Sequence, residues 1–233
     1  MTSEPHAGAA RRASYDEHAT PDSDAERPDR PAGRGTIVRL VLGFAAMVLV
    51  AWGAGEAWLS LIGSGELEAV REVASHRTDG LTAAAKIVTW AGSAFLLVPL
   101  ALLVCLVLVR RGRAREALLI VICLGGAVLL SELLKLAVGR PRPPIEHLQM
   151  VASSSFPSEH ATQASAFWLS AVLALAATTA SRSLVRLAAA AAIALVLAVA
   201  ASRVYLGVHY PADVVAGILL GAAWSAWAQH SLP

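Results

Sequence analysis

Cysteine and charge are both scarce in this chain of 233 residues. The two cysteines, Cys105 and Cys123, each sit inside an apolar run. Neither a disulfide framework nor a zinc site has the spacing it needs, so both read as small core residues. Charged residues make up 15% of the chain against 56% hydrophobic ones, and mean hydropathy is positive. That balance excludes an average soluble domain and points to a membrane protein. The net charge of +2 says little, because the charges are segregated into a polar tail, short basic loops and isolated ions beside apolar segments. No nucleic-acid partner is expected.

Residues 1–35 are rich in Pro, Asp, Arg, Ser and Ala and lack apolar periodicity, so they are expected to form a disordered cytoplasmic tail. The first apolar run, from 37 to about 55, has a long polar leader and no clean small-residue cleavage site, which favours a retained helix over a secretion signal. Further runs at 87–109, 117–138, 161–180, 184–201 and 212–228 are each near the ~20 residues that span a bilayer core. The expected fold is all-α, a polytopic six-helix transmembrane bundle over residues 36–230. The stretch 63–81, with Glu66, Glu68, Arg71, Glu72, His76, Arg77 and Asp79, is expected to be exposed or interfacial and to carry no chemistry. Arg110, Arg111, Arg113 and Arg115 lie between spans two and three, and Arg182 and Arg186 between four and five. The positive-inside rule puts both loops, and both termini, in the cytoplasm.

The outward connections hold the unusual polar residues. Lys135, Arg140 and Arg142 follow span three, where the rule disfavours cations. A structural role at a helix C-terminus, with Glu132 as partner of Lys135, is one reading. Span four is introduced by Ser153 to His160, with Ser158 or a neighbouring serine as an N-cap and His160 in the first turn. The third stretch, Ser202 to Asp213, has Arg203 at the end of span five and His209 four residues before Asp213. Pro211 suits a first helical turn, and a helix starting near Tyr210 lets the carboxylate reach one imidazole nitrogen, fixing the tautomer. Taken alone, this stretch also reads as an interface loop with a snorkelling arginine and a capping aspartate. Taken together, the cations, a hydroxyl, two histidines and one carboxylate suit phosphate chemistry. The cations stabilise charge on the equatorial oxygens, one histidine attacks phosphorus and the other protonates the departing oxygen.

These residues resemble the type 2 phosphatidic acid phosphatase (PAP2) family, which includes undecaprenyl-diphosphate phosphatases and is similar at its site to vanadium haloperoxidases. The family pattern of Lys, six residues, Arg-Pro matches Lys135, Arg142 and Pro143. Its Ser-Arg, five residues, His, three residues, Asp matches Ser202, Arg203, His209 and Asp213. Its Pro-Ser-Gly-His matches Pro157, Ser158 and His160, with Glu159 in place of glycine. The resemblance covers about residues 130–220 and implies a PAP2/haloperoxidase-like core. It also implies a nucleophilic His209 held by Asp213, His160 as general acid that later activates water, and phosphoryl binding by Lys135, Arg142, Ser158 and Arg203. Neither a metal nor any other cofactor is implied.

The implied activity is metal-independent hydrolysis of a lipid phosphate in the cell membrane, at a site facing the extracytoplasmic side. Polyprenyl (undecaprenyl) diphosphate is the expected substrate. Phosphatidic acid, diacylglycerol pyrophosphate and phosphatidylglycerol phosphate are alternatives, as is a non-catalytic phospholipid-binding or transport role. Another reading makes His160, His209 and Asp213 a metal site. Glu159 either points away from the site or pairs with Arg140 and narrows substrate choice. The glycines Gly217 and Gly221 in span six read as a helix-packing face.

Overall fold

Apolar runs long enough for a bilayer core form helices because a helix satisfies its own backbone polar groups. The structure, a computed structural model, describes residues 33–62 and 65–233, with backbone alone at 58–62. The expected tail, 1–35, lies outside the described residues up to position 32. The helices are α1 (Arg34–Ile62), α2 (Gly65–Ser75), α3 (Asp79–Val88), α4 (Ala94–Arg110), α5 (Ala114–Val138), α6 (Glu159–Thr178), α7 (Arg182–Tyr205) and α8 (Pro211–Ser231). A 3₁₀ turn, Thr89–Gly92, joins α3 to α4. Among the described residues, five helices are long and apolar enough to cross a membrane, and the number reaches six if α3 and α4 form one span. The chain is a multi-pass membrane protein.

Two expectations need correction. The second span is not a straight helix over 87–109: the apolar path starts at Asp79 and bends by 45° at the 3₁₀ turn. Ser93 ends the turn in extended conformation and accepts from the Phe95 N–H at 3.3 Å, which starts α4 as a separate, capped helix. The stretch 63–81 is also not merely an exposed segment, since α2 buries Glu66 and Val70.

Helix α6 is central, packed against α5, α7 and α8, and is buried without interruption from Ala161 to Phe167. Its contact with α8 depends on the two glycines of span six, as expected. A Cβ at Gly221 would lie 2.4 Å from the Thr162 carbonyl oxygen, and one at Gly217 would lie 2.7 Å from that of Ser158. Gly92 gives the 3₁₀ turn a similar approach, 2.7 Å from a would-be Cβ to the His160 carbonyl oxygen. Cys123 is buried and Cys105 half-buried, both as free thiols in the packing. Leu102, Leu129, Ile193 and Leu197 face outward, an apolar surface that hydrocarbon solvates.

The two ends of the bundle differ. At one end Arg115 donates to the carbonyls of Pro233 and Leu232, and Arg39 to that of Ser231 at 3.1 Å, so the basic α4–α5 connection, the start of α1 and the C-terminus lie together. The end of α5, the start of α6, the end of α7 and the start of α8 meet at the other. Gly221→Leu is expected to push α8 off α6 and destabilise the protein by about 1–3 kcal/mol. Thermal unfolding in detergent measures this, and an unchanged midpoint would contradict the close approach.

Candidate active site

Helix α5 stops at Gly139, whose φ of 61° closes a left-handed cap with its N–H on the Lys135 carbonyl. That turn keeps Lys135 inside, 5% exposed, and sends Arg140 and Arg142 back across the bundle end. Helix α8 begins at Pro211 with Tyr210 as its cap residue, as the sequence suggests. His209 therefore sits at the junction between the end of α7 and the start of α8. Lys135, Arg142, His160, Arg203 and His209 line one cavity of about 370 Å³, together with Glu159 and Gln149.

The other two residues of the pattern lie outside that lining. Asp213 is fully buried behind His209, with Oδ2 3.6 Å from Nδ1, too far for a hydrogen bond, and Nδ1 has no partner among the described residues. Ser158 is fully buried and takes the N-cap position of α6, but its hydroxyl makes no capping bond and has no partner among the described residues. Its backbone N–H donates instead to the Asp213 carbonyl at 2.9 Å, which ties the start of α6 to that of α8.

Each cation of the cavity is held by groups from another element. Lys135 donates to Glu159 Oε2 at 2.6 Å and to Glu132 Oε1 at 3.3 Å. Arg142 donates to the carbonyls of Ser153 at 2.8 Å, Ser154 at 3.3 Å and Val208. Its Nη1 also lies 3.3 Å from His209 Nε2. Arg203, 2% exposed, donates to Thr89 Oγ1 at 2.9 Å and to Gln149 Oε1, and its Nε has no partner among the described residues. The break in the second span thus brings Thr89 to the guanidinium.

Neither reading of Glu159 holds. The side chain turns into the cavity and pairs with Lys135, and Arg140 bonds elsewhere. Arg140 Nη1 donates to Asp213 Oδ1 at 2.6 Å, its Nη2 to Glu66 Oε2 at 2.7 Å, and its guanidinium lies 3.9 Å from the centre of the Tyr210 ring. Glu66 in turn accepts from the Ala212 N–H at 2.7 Å, in the first turn of α8. Asp213 Oδ2 accepts from the Tyr210 N–H at 2.9 Å and from the Ser155 hydroxyl. Glu66, Ser155, Gln149 and Thr89 were not singled out by sequence; each is an ordinary polar residue that carries no spacing signal.

Burial is the largest influence on His209 and holds its imidazole down to about 4, with Arg203 and Arg142 adding to the effect and Asp213 opposing it. Near neutral pH the ring is uncharged. Since Nδ1 faces the Asp213 carboxylate, the proton belongs there and the lone pair at Nε2, beside Arg142. Among the described residues, no group of three or more His, Cys, Asp and Glu side chains is arranged to hold a metal ion.

Residues 116–233 match the PAP2 superfamily. The fold is similar to that of a transmembrane PAP2-type phosphatidylglycerolphosphate phosphatase from Bacillus subtilis, at 24% identity and a TM-score of 0.70, over 84% of this chain and 94% of that one. It is also similar to that of LpxE from Aquifex aeolicus, at 22% identity and a TM-score of 0.58, over 72% of this chain and 96% of that one. No curated protein matches the chain. With its motifs gathered at one bundle end and half its length matched, the chain belongs to the PAP2 superfamily and has the fold of its membrane phosphatases.

Proposed function

We propose that this PAP2-type membrane lipid phosphatase hydrolyses the terminal phosphate of a polyprenyl diphosphate through a phosphohistidine on His209, without a metal. One observation carries the reading: three cations and two histidines from separate segments line one cavity, and its mouth is apolar. Trp90, Phe95 and Met150 form that mouth and are 55%, 83% and 98% exposed. Such a rim suits an amphiphile whose phosphate enters the cavity while its tail stays in lipid.

In this mechanism the Nε2 lone pair of His209 attacks phosphorus, and the P–N bond forms as the bond to the departing oxygen breaks. That oxygen takes a proton from His160. The imidazole then carries positive charge, which Asp213 balances through Nδ1–H. His160 next removes a proton from water, whose oxygen attacks phosphorus; the P–N bond breaks and orthophosphate leaves. Lys135, Arg142 and Arg203 stabilise the phosphoryl oxygens throughout. Ser158, with its unpartnered buried hydroxyl, is the remaining donor assigned to the phosphoryl group. Both oxygens of Asp213 already accept hydrogen bonds, which disfavours the metal-site reading.

The cavity is assigned to the extracytoplasmic face, with both termini cytoplasmic, because the basic α4–α5 connection lies at the opposite end of the bundle. Phosphatidylglycerol phosphate is a second substrate reading, favoured by the fold shared with the Bacillus subtilis enzyme.

Two measurements test the proposal. His209→Ala is expected to abolish turnover, and His160→Ala to lower it by at least ~10²–10⁴, in protein that still inserts and purifies; ordinary turnover by the His209 variant would remove the nucleophile. Phosphate release from a panel of lipid mono- and diphosphates, with EDTA present, is expected to be highest for the polyprenyl diphosphate and insensitive to the chelator. Release only after metal is restored would overturn metal independence, and a preference for phosphatidylglycerol phosphate would favour the second substrate.

A further inference from the structure

Among the described residues, Glu159 is the one carboxylate that lines the cavity. Its Oε2 lies 2.6 Å from Lys135 Nζ, as close as an ion pair comes, and Lys135 is 5% exposed. Its Oε1 accepts from Gln163 Nε2 at 2.9 Å. Gln163, one turn further along α6, is 1% exposed, and its own side-chain oxygen has no partner among the described residues. The carboxylate is therefore aimed at the lysine by a buried amide that makes no other side-chain bond among the described residues. A carboxylate oxygen on an ammonium occupies the place and the charge that a phosphoryl oxygen would take.

The charges of the cavity lining explain what this does. Lys135, Arg142 and Arg203 contribute three positive charges and Glu159 one negative, so the lining carries net +2 while both histidines are neutral, before His160 takes up the proton that it later donates. That balances a phosphoryl dianion. Without Glu159 the same dianion would face +3, and orthophosphate, once formed, would be held more tightly than the substrate needs. Binding that stabilises the ground state as much as the transition state does not accelerate the chemical step.

We propose that Glu159 is a built-in competitor for the phosphoryl group: it rests on Lys135, is displaced as a phosphoryl group enters, and returns to expel orthophosphate. The proposal rests on the reading of this cavity as a phosphoryl site. It assigns Glu159 to product release and to the ceiling on anion affinity, a role distinct from positioning the nucleophile.

The test is calorimetric titration of the purified full chain with inorganic phosphate and with orthovanadate, which needs no turnover, alongside product inhibition by phosphate. Glu159→Gln keeps the size of the side chain and removes its charge. It is expected to bind both anions at least about tenfold tighter than the parent protein, with phosphate inhibition strengthened in parallel. Glu159→Asp is expected to stay close to the parent. Glu159→Gly, which places the family's usual residue there, is expected to behave as Glu159→Gln and serves if the glutamine variant fails to fold. Equal or weaker anion binding by the folded neutral variants would overturn the proposal. Failure of parent and variants alike to bind either anion would overturn the phosphoryl-site reading as well, so the two failures are distinguishable.

Discussion

Three cations must share one buried cavity at the end of an apolar bundle, and much of the local structure follows from that requirement. Charges that close together, away from bulk water, repel strongly and lose hydration. They persist only if other segments bring them acceptors. Glu159 comes from the start of α6, the carbonyls around Arg142 come from the loop before α6 and from the turn before α8, and Thr89 comes from the broken second span. The close approaches at Gly92, Gly217 and Gly221 allow these segments to sit near enough to supply them.

Behind the cavity a second network fixes the carboxylate. Asp213 is bonded by Arg140, Tyr210 and Ser155, while the His209 ring stands 3.6 Å away with Nδ1 unpartnered. The carboxylate is thus positioned independently of the histidine. Catalytic hydrogen bonds are commonly long before substrate arrives and tighten when charge develops on the ring. Arg140 is itself neutralised by Glu66 of α2, so a helix outside the matched family region contributes to the electrostatics of the centre.

Most of the architecture was legible in the sequence because hydropathy reports burial in lipid directly. The spans at α1, α5, α6, α7 and α8 begin and end within a few residues of the apolar runs. Hydropathy carries no direction, however, so the 45° bend at the 3₁₀ turn was invisible; it arises from Ser93 capping α4. Motif spacing named five of the residues that line the cavity, Lys135, Arg142, His160, Arg203 and His209. It could not tell which cation Glu159 would meet. Gly139, in its left-handed turn, directs Arg140 toward α8 and leaves Lys135 facing the first turn of α6. Glu66 gave no signal either, since a polar residue in a polar stretch looks solvated until a distant cation buries it.

The proposed mechanism requires His209 to form a bond to phosphorus inside this cavity. Rapid acid-free quenching of the protein during turnover of a ³²P-labelled lipid phosphate, followed by peptide mapping, tests that bond directly. Label is expected on the peptide that carries His209, stable to alkali and lost in acid, as a P–N bond requires. Label on another residue, or steady phosphate release with no labelled protein at any time, would contradict it.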